Sequence, residues 1–199
     1  MGAGIAQVTA DTALQGAHVS INAAGTLRMR GLTTVDSGTH FSGTGVFHNG
    51  IDGIMVLDSG TALSDVGLLN SGILRVGGDG PGVAGMDRVS FAADSIWEVG
   101  IGGYAALQSD RLLVTGVSGA SLGGVLSVSL VDLGIGFLPQ VGDQFLILSS
   151  LQGGNTGMFI NDPVTLAGGL TYEWSVIYSS HHVYLRLDNV VPAPGSVAL

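Results

Sequence analysis

The sequence contains no cysteine, no lysine and only two glutamates, Glu98 and Glu173. Without cysteine there are no disulfides and no thiolate-bound metals, although the cellular compartment stays open. The formal net charge of −9 argues against nucleic-acid binding, which needs clustered cations to neutralise phosphates. Six arginines (Arg28, Arg30, Arg75, Arg88, Arg111, Arg186) are the only fixed cations, and only Arg28 and Arg30 stand close together. No apolar run approaches the ~18 residues that suggest a membrane-spanning helix. Met1 leads into Gly-Ala-Gly-Ile without a basic segment, so no signal peptide is expected. If the protein is exported, the sequence is then a mature or trimmed form. No Gly-x-Ser-x-Gly elbow and no cysteine nucleophile are expected, nor any catalytic, cofactor-binding or metal-ligating residue.

What is present is glycine and apolar surface. There are 34 glycines, 46% hydrophobic residues and 11% charged residues, where globular averages are ~7% Gly and ~25% charged. Such a chain is too apolar and too weakly charged to stay disordered. Interior glycines each cost a helix roughly 1 kcal/mol relative to Ala, so short strands joined by tight turns are predicted.

The chain also repeats. Asp36-Ser37-Gly38-Thr39 recurs as Asp58-Ser59-Gly60-Thr61, a shift of 22. His48-Asn49-Gly50 parallels Leu69-Asn70 with Ser71-Gly72, a shift of 21. Asp87-Arg88-Val89-Ser90-Phe91 matches Asp110-Arg111-Leu112-Leu113-Val114 at 23, and Gly25-Thr26-Leu27-Arg28-Met29 matches Gly72-Ile73-Leu74-Arg75-Val76 at 47. A period near 22 is too short for the two helices of a ~34-residue helical repeat, and the spacing of leucine-rich repeats is missing. Within a rung, apolar residues alternate, as in Val19 and Ile21 or Leu27 and Met29, which sends one set inward. Gly, Asn, Asp and Ser supply the turns. The predicted fold is all-β: a right-handed parallel β-solenoid (β-helix) with rungs of about 22 residues over 1–132.

From about Leu133 the pattern changes. Gln144-Phe145-Leu146-Ile147-Leu148 reads as a buried strand, and two alternating runs flank Ser179-Ser180-His181-His182 as a hairpin. Parity places Glu173 and Arg186 on one face as a cross-strand pair. Residues 133–189 are therefore expected to form a β-rich C-terminal cap over the last rung, because an open end exposes unpaired strand edges. Residues 190–199 are left as a linker or truncated tail.

The runs Asp110-Arg111-Leu112, Leu122-Gly123-Gly124-Val125-Leu126-Ser127-Val128, Pro139 to Leu148, Gly157-Met158-Phe159 and Trp174-Ser175-Val176 carry a family resemblance. They resemble the C-terminal region of bacterial PEP-CTERM surface proteins and autotransporter-like passengers. Leu69 to Gly78 is similar to an autotransporter-associated β-strand repeat. The tail Val191-Pro192-Ala193-Pro194-Gly195 resembles the sorting motif of the first group, with Ala193 where Glu is usual. The apolar span and basic end of a complete signal do not follow it. The resemblance implies export, processing by an exosortase-type enzyme, and an extracellular place at the bacterial cell surface or in the biofilm matrix.

Other motifs are read as structural. Met1-Gly2-Ala3-Gly4-Ile5-Ala6-Gln7 looks like the glycine turn of hydroxyacyl-CoA dehydrogenases, but no strand precedes it and no βαβ unit follows. Gly77-Gly78-Asp79-Gly80-Pro81-Gly82 resembles a calcium-binding β-roll repeat with Gly82 where an Asp is needed, so at most weak surface Ca²⁺ binding at Asp79 or Asp87 is expected. His18 and His40 are 22 apart and would stack one rung over the other, more simply as a polar ladder than as a metal site. Adjacent His181 and His182 would point to opposite faces of a strand.

The function expected is therefore a non-catalytic structural or adhesive protein that assembles with itself, end to end into fibres in the strongest version. The first alternative is a module for extracellular matrix polysaccharide, with Trp97, Tyr104 and Tyr178 as stacking platforms. The second is a β-helical polysaccharide lyase or hydrolase, with Arg75 or Arg88 beside Asp79 or Asp87.

Overall fold

The computed structural model describes residues 4–194, and these contain strands and turns but no helix. The first strands are β1 (Ile5–Val8), β2 (Thr12–Leu14) and β3 (His18–Ser20), followed by β4 (Thr26–Val35) and β5 (His40–Ser42). Next come β6 (Val46–Leu57), β7 (Ala62–Asn70), β8 (Ile73–Val76) and β9 (Val83–Phe91). They are followed by β10 (Ile96–Ile101), β11 (Arg111–Val114), β12 (Ala120–Leu122) and β13 (Val125–Leu130). Every pairing among these thirteen strands is parallel, apart from an isolated antiparallel bridge between Ile101 and Ser109.

The spacing between paired residues is regular at first and then lengthens. His18 faces His40 and Asn49 faces Asn70, shifts of 22 and 21, and Ile54 faces Ile73 at 19. Beyond β10 the shift becomes 28 for Val83 and Arg111, 31 for Val89 and Ala120, and 36 for Leu112 and Leu148. The segment between β10 and β11, residues 102–110, supplies extra length, and so does 131–143 between β13 and β14. Two of the four sequence repeats are therefore in register, at Asp36/Asp58 and His48/Leu69. The other two are not. Arg111 lies beside Val83 rather than Arg88, and Ile73 shares its column with Ile54 and Leu32, not with Thr26.

The last five strands turn the sheet mixed. They are β14 (Gln144–Ser150), β15 (Asn155–Gly157), β16 (Val164–Ala167), β17 (Leu170–Tyr178) and β18 (His182–Pro192). β14 and β15 continue the parallel ladder on β11 and β12, while β18 runs antiparallel to both β14 and β17, and β16 antiparallel to β17. Arg186 faces Ser175 in the hairpin register, and a bulge between Glu173 and Trp174 sets Glu173 opposite Asn189. The expected Glu173–Arg186 pair is thus replaced: Asn189 donates to Glu173 at 3.2 Å, and Arg186 pairs with Asp188 at 2.7 Å.

The edge of β13 is closed by side chains. The Asn161 amide accepts from the Leu126 N–H and donates to the Leu126 carbonyl, both at 2.9 Å, as a neighbouring strand would. Thr165 Oγ1 donates to the Val128 carbonyl at 2.6 Å and accepts from the indole N–H of buried Trp174 at 3.2 Å. At the other end, β1 and β2 pair only with β4, and β3 only with β5, among the described residues.

One apolar core runs the length of the sheet from Ile21 to Leu187. It follows from alternation: in β9, Ala84, Met86, Val89 and Phe91 point inward, and in β10 Trp97 and Val99 do. Phe91, Trp97 and Phe159 stack with ring centroids 5.5 to 5.9 Å apart. At one corner the core turns polar: Asn49 Nδ2 donates to Asn70 Oδ1 at 2.7 Å, and Asn70 Nδ2 to the Ile96 carbonyl at 3.2 Å. Both asparagines are fully buried. Close approach between successive layers explains Gly43 and Gly157. Each has positive φ, and a Cβ there would collide with the carbonyl of Ile21 or Leu122.

Candidate functional site

The most elaborate polar cluster at the surface is built on β4 and β6. Parallel pairing sets Arg28 beside His48, and Arg28 Nε donates to His48 Nδ1 at 3.0 Å. The other ring nitrogen, Nε2, lies 3.0 Å from Ser71 Oγ, just after β7. A guanidinium can only donate, so Nδ1 must accept and the imidazole is neutral, with its proton on Nε2 pointing at Ser71. Burial holds the His48 pKa below its usual value, assisted by the charges of Arg28 and Arg30.

This geometry decides what the cluster can do. A Ser–His nucleophile needs a free imidazole lone pair facing the hydroxyl. Here the lone pair faces Arg28, and Ser71 Oγ accepts. The cluster is a set of aimed donors, not a base. It lines a surface groove of about 280 Å³ with Arg30, Ile51, Ala92 and Asp94. Arg30 is tied loosely to Asp52, 3.4 Å away and well exposed, while its Nε is buried without a hydrogen-bond partner among the described residues.

A second cluster surrounds Asp110. Its carboxylate accepts from the N–H of Gly82 at 2.8 Å and of Gly100 at 2.7 Å, which ties the 102–110 insertion to the layers on either side. Burial raises its pKa to about 7, against the lowering effect of those two bonds. The groove at its mouth, about 130 Å³, includes Asp79 and the Arg75–Glu98 ion pair. Of the expected lyase-like arrangement, Arg75 is held by Glu98, while Arg88 does stand beside Asp87. Arg88 binds Asp87 at 2.9 Å and two backbone carbonyls, of Thr44 and Gly45. No group of three or more metal-ligating side chains occurs among the described residues, Asp79 and Asp87 included.

The three aromatic candidates do not form a platform. Trp97 has no exposed surface and packs between Phe91 and Phe159, which corrects its reading as a stacking residue. It sits at an inward position of β10, where alternation alone would have placed it. Tyr178 is half-buried, and its hydroxyl accepts from the Phe159 N–H at 3.0 Å. Tyr104 is exposed, but its hydroxyl donates to Asp143 at 2.7 Å and its ring stacks on Phe145.

The remaining candidates are placed plainly. His18 and His40 face each other in register, and His18 Nε2 lies 3.3 Å from Ser42 Oγ. Val191 and Pro192 belong to β18, paired with Thr171 and Leu170, and the Ala193 N–H donates to Gly169. Pro194 follows them, while Gly195 and Met1–Ala3 lie outside the described residues. Gly119-Ala120-Ser121-Leu122-Gly123 has the Gly-x-Ser-x-Gly spacing of a nucleophile elbow, a motif that sequence reasoning missed. Ser121 is the middle residue of strand β12, not the tip of a strand-to-helix turn, and no histidine bonds its hydroxyl among the described residues.

The chain matches no protein-family model and no curated protein.

Proposed function

We propose that the parallel ladders are the rungs of a right-handed β-solenoid and that the protein is a non-catalytic structural or adhesive component of a bacterial cell surface or biofilm matrix. The observation that carries this reading is the uninterrupted parallel pairing from β1 to β13 over one continuous core. In such a stack each layer satisfies its neighbour's backbone, so length and stiffness are what the sequence specifies. The catalytic alternative has little to stand on, since His48 faces Arg28 and Asp110 holds backbone amides.

Self-association takes a particular form in this reading. Among the described residues, β1, β2 and β3 offer one unpaired edge, whereas side chains cover β13. Copies meeting at such edges would extend the parallel ladders end to end, the fibre form of this reading. Export and exosortase-type processing of the Val191–Gly195 tail rest on the resemblance alone.

Imaging the producing cells with an antibody to the protein tests the location. Surface or matrix labelling is expected, and labelling confined to the cytoplasm would overturn the reading. Sedimentation over rising concentration should show growing assemblies, and a persistent monomer at high concentration would sink the fibre form.

A further inference from the structure

We propose that the groove between Arg28 and Asp94 binds a uronate unit of an acidic polysaccharide, with the sugar carboxylate on Arg28 and its hydroxyls toward Asp94. A guanidinium has two edges able to take a carboxylate, and Arg28 spends Nε on His48. Its two terminal nitrogens make no hydrogen bond and no ion pair with any described residue, so that outer edge is free to take a carboxylate in the two-bond fork. The imidazole fixes the direction of the fork: with Nδ1 accepting, Arg28 cannot swing away without leaving a buried ring nitrogen unpaired.

The other walls narrow the ligand class. Ser71 Oγ accepts from His48, so its own proton is available to an oxygen in the groove. Arg30 adds a second positive charge on the same groove. Ile51, 61% exposed, supplies an apolar patch for the C–H face of a ring. Asp94 stands on the same groove with the opposite charge. A second negative group would be repelled there, while sugar hydroxyls would donate to it. Phosphate or sulfate would use only the arginine end. A volume of about 280 Å³ is small for a ligand pocket, which suits one ring of a chain and not a larger cofactor. On a protein of net charge −9, binding an anion needs such a local concentration of donors.

The test is calorimetric titration of the purified protein with trigalacturonate, with its neutral galactose counterpart, and with sodium sulfate. Trigalacturonate should bind, the neutral sugar should not, and sulfate should compete only weakly. Arg28→Gln should weaken binding about tenfold or more, the worth of a charge-assisted bond. Arg28→Lys keeps the charge without the fork and should fall between; it also serves as the readout if the glutamine variant fails to fold. The proposal is overturned by no uronate binding, by unchanged binding in the Arg28 variants, by equal binding of the neutral sugar, or by sulfate displacing the uronate at equal concentration. None of these results bears on the surface-rod reading, which rests on the ladders.

Discussion

Arg28 and His48 are 20 residues apart in sequence, yet the parallel register of β4 and β6 puts the guanidinium Nε 3.0 Å from the imidazole Nδ1. His48 should therefore be neutral and protonated on Nε2 at pH 7, with a midpoint below the usual value. A folded pKa below the unfolded one gives stability that is fully present above about pH 6.5 and lost as pH falls from there through the lower folded value. Nitrogen-correlated NMR of the ring checks both points. Arg28→Met should move the midpoint up, though not fully, because burial is the larger cause.

Asp110 should act in the opposite direction. Its folded pKa of about 7 exceeds the ordinary aspartate value, so the folded state holds the extra proton between about pH 4 and pH 7. Stability should fall as pH rises through that window, by on the order of a few kcal/mol. Urea unfolding at pH 5 and pH 8 measures it. Asp110→Asn should flatten the slope and lower stability at pH 5 by about 1–3 kcal/mol, since one backbone N–H would meet an amide nitrogen.

The Asn49–Asn70 pair, fully buried, links successive layers at a polar corner of the core. Asn70→Ala should cost about 1–3 kcal/mol, because one N–H of the Asn49 amide loses its buried partner while the other keeps the Ile73 carbonyl. Chemical denaturation of the variant is the check.

Trp97 gives a spectroscopic handle on the core. Its burial against Phe91 and Phe159 calls for blue-shifted fluorescence that oligosaccharides do not quench. Trp97→Ala should destabilise by about 3–5 kcal/mol, whereas loss of Tyr104 should cost far less.

The sequence made the all-β class legible through glycine and alternation, and it placed two columns correctly, at Asp36/Asp58 and Asn49/Asn70. It also put His18 over His40. It misled where chain length changed between layers: the Asp87/Asp110 match spans the 102–110 insertion, which shifts Arg111 onto Val83. A single bulge moved Glu173 opposite Asn189 and away from Arg186, although both side chains stay on the exposed face, as parity predicts. The Arg28–His48–Ser71 cluster was hidden for a related reason. Its members sit 20 and 23 residues apart, and neither spacing marks a known motif.

Arg111 separates a parallel stack with lengthening layers from a strict 23-residue repeat. Backbone NOE contacts of Arg111 and Leu112 should lead to Val83 and Ala84, in the pattern of parallel strands. Contacts to Arg88 and Val89 instead, or an antiparallel pattern between these strands, would contradict the stack on which the structural reading rests.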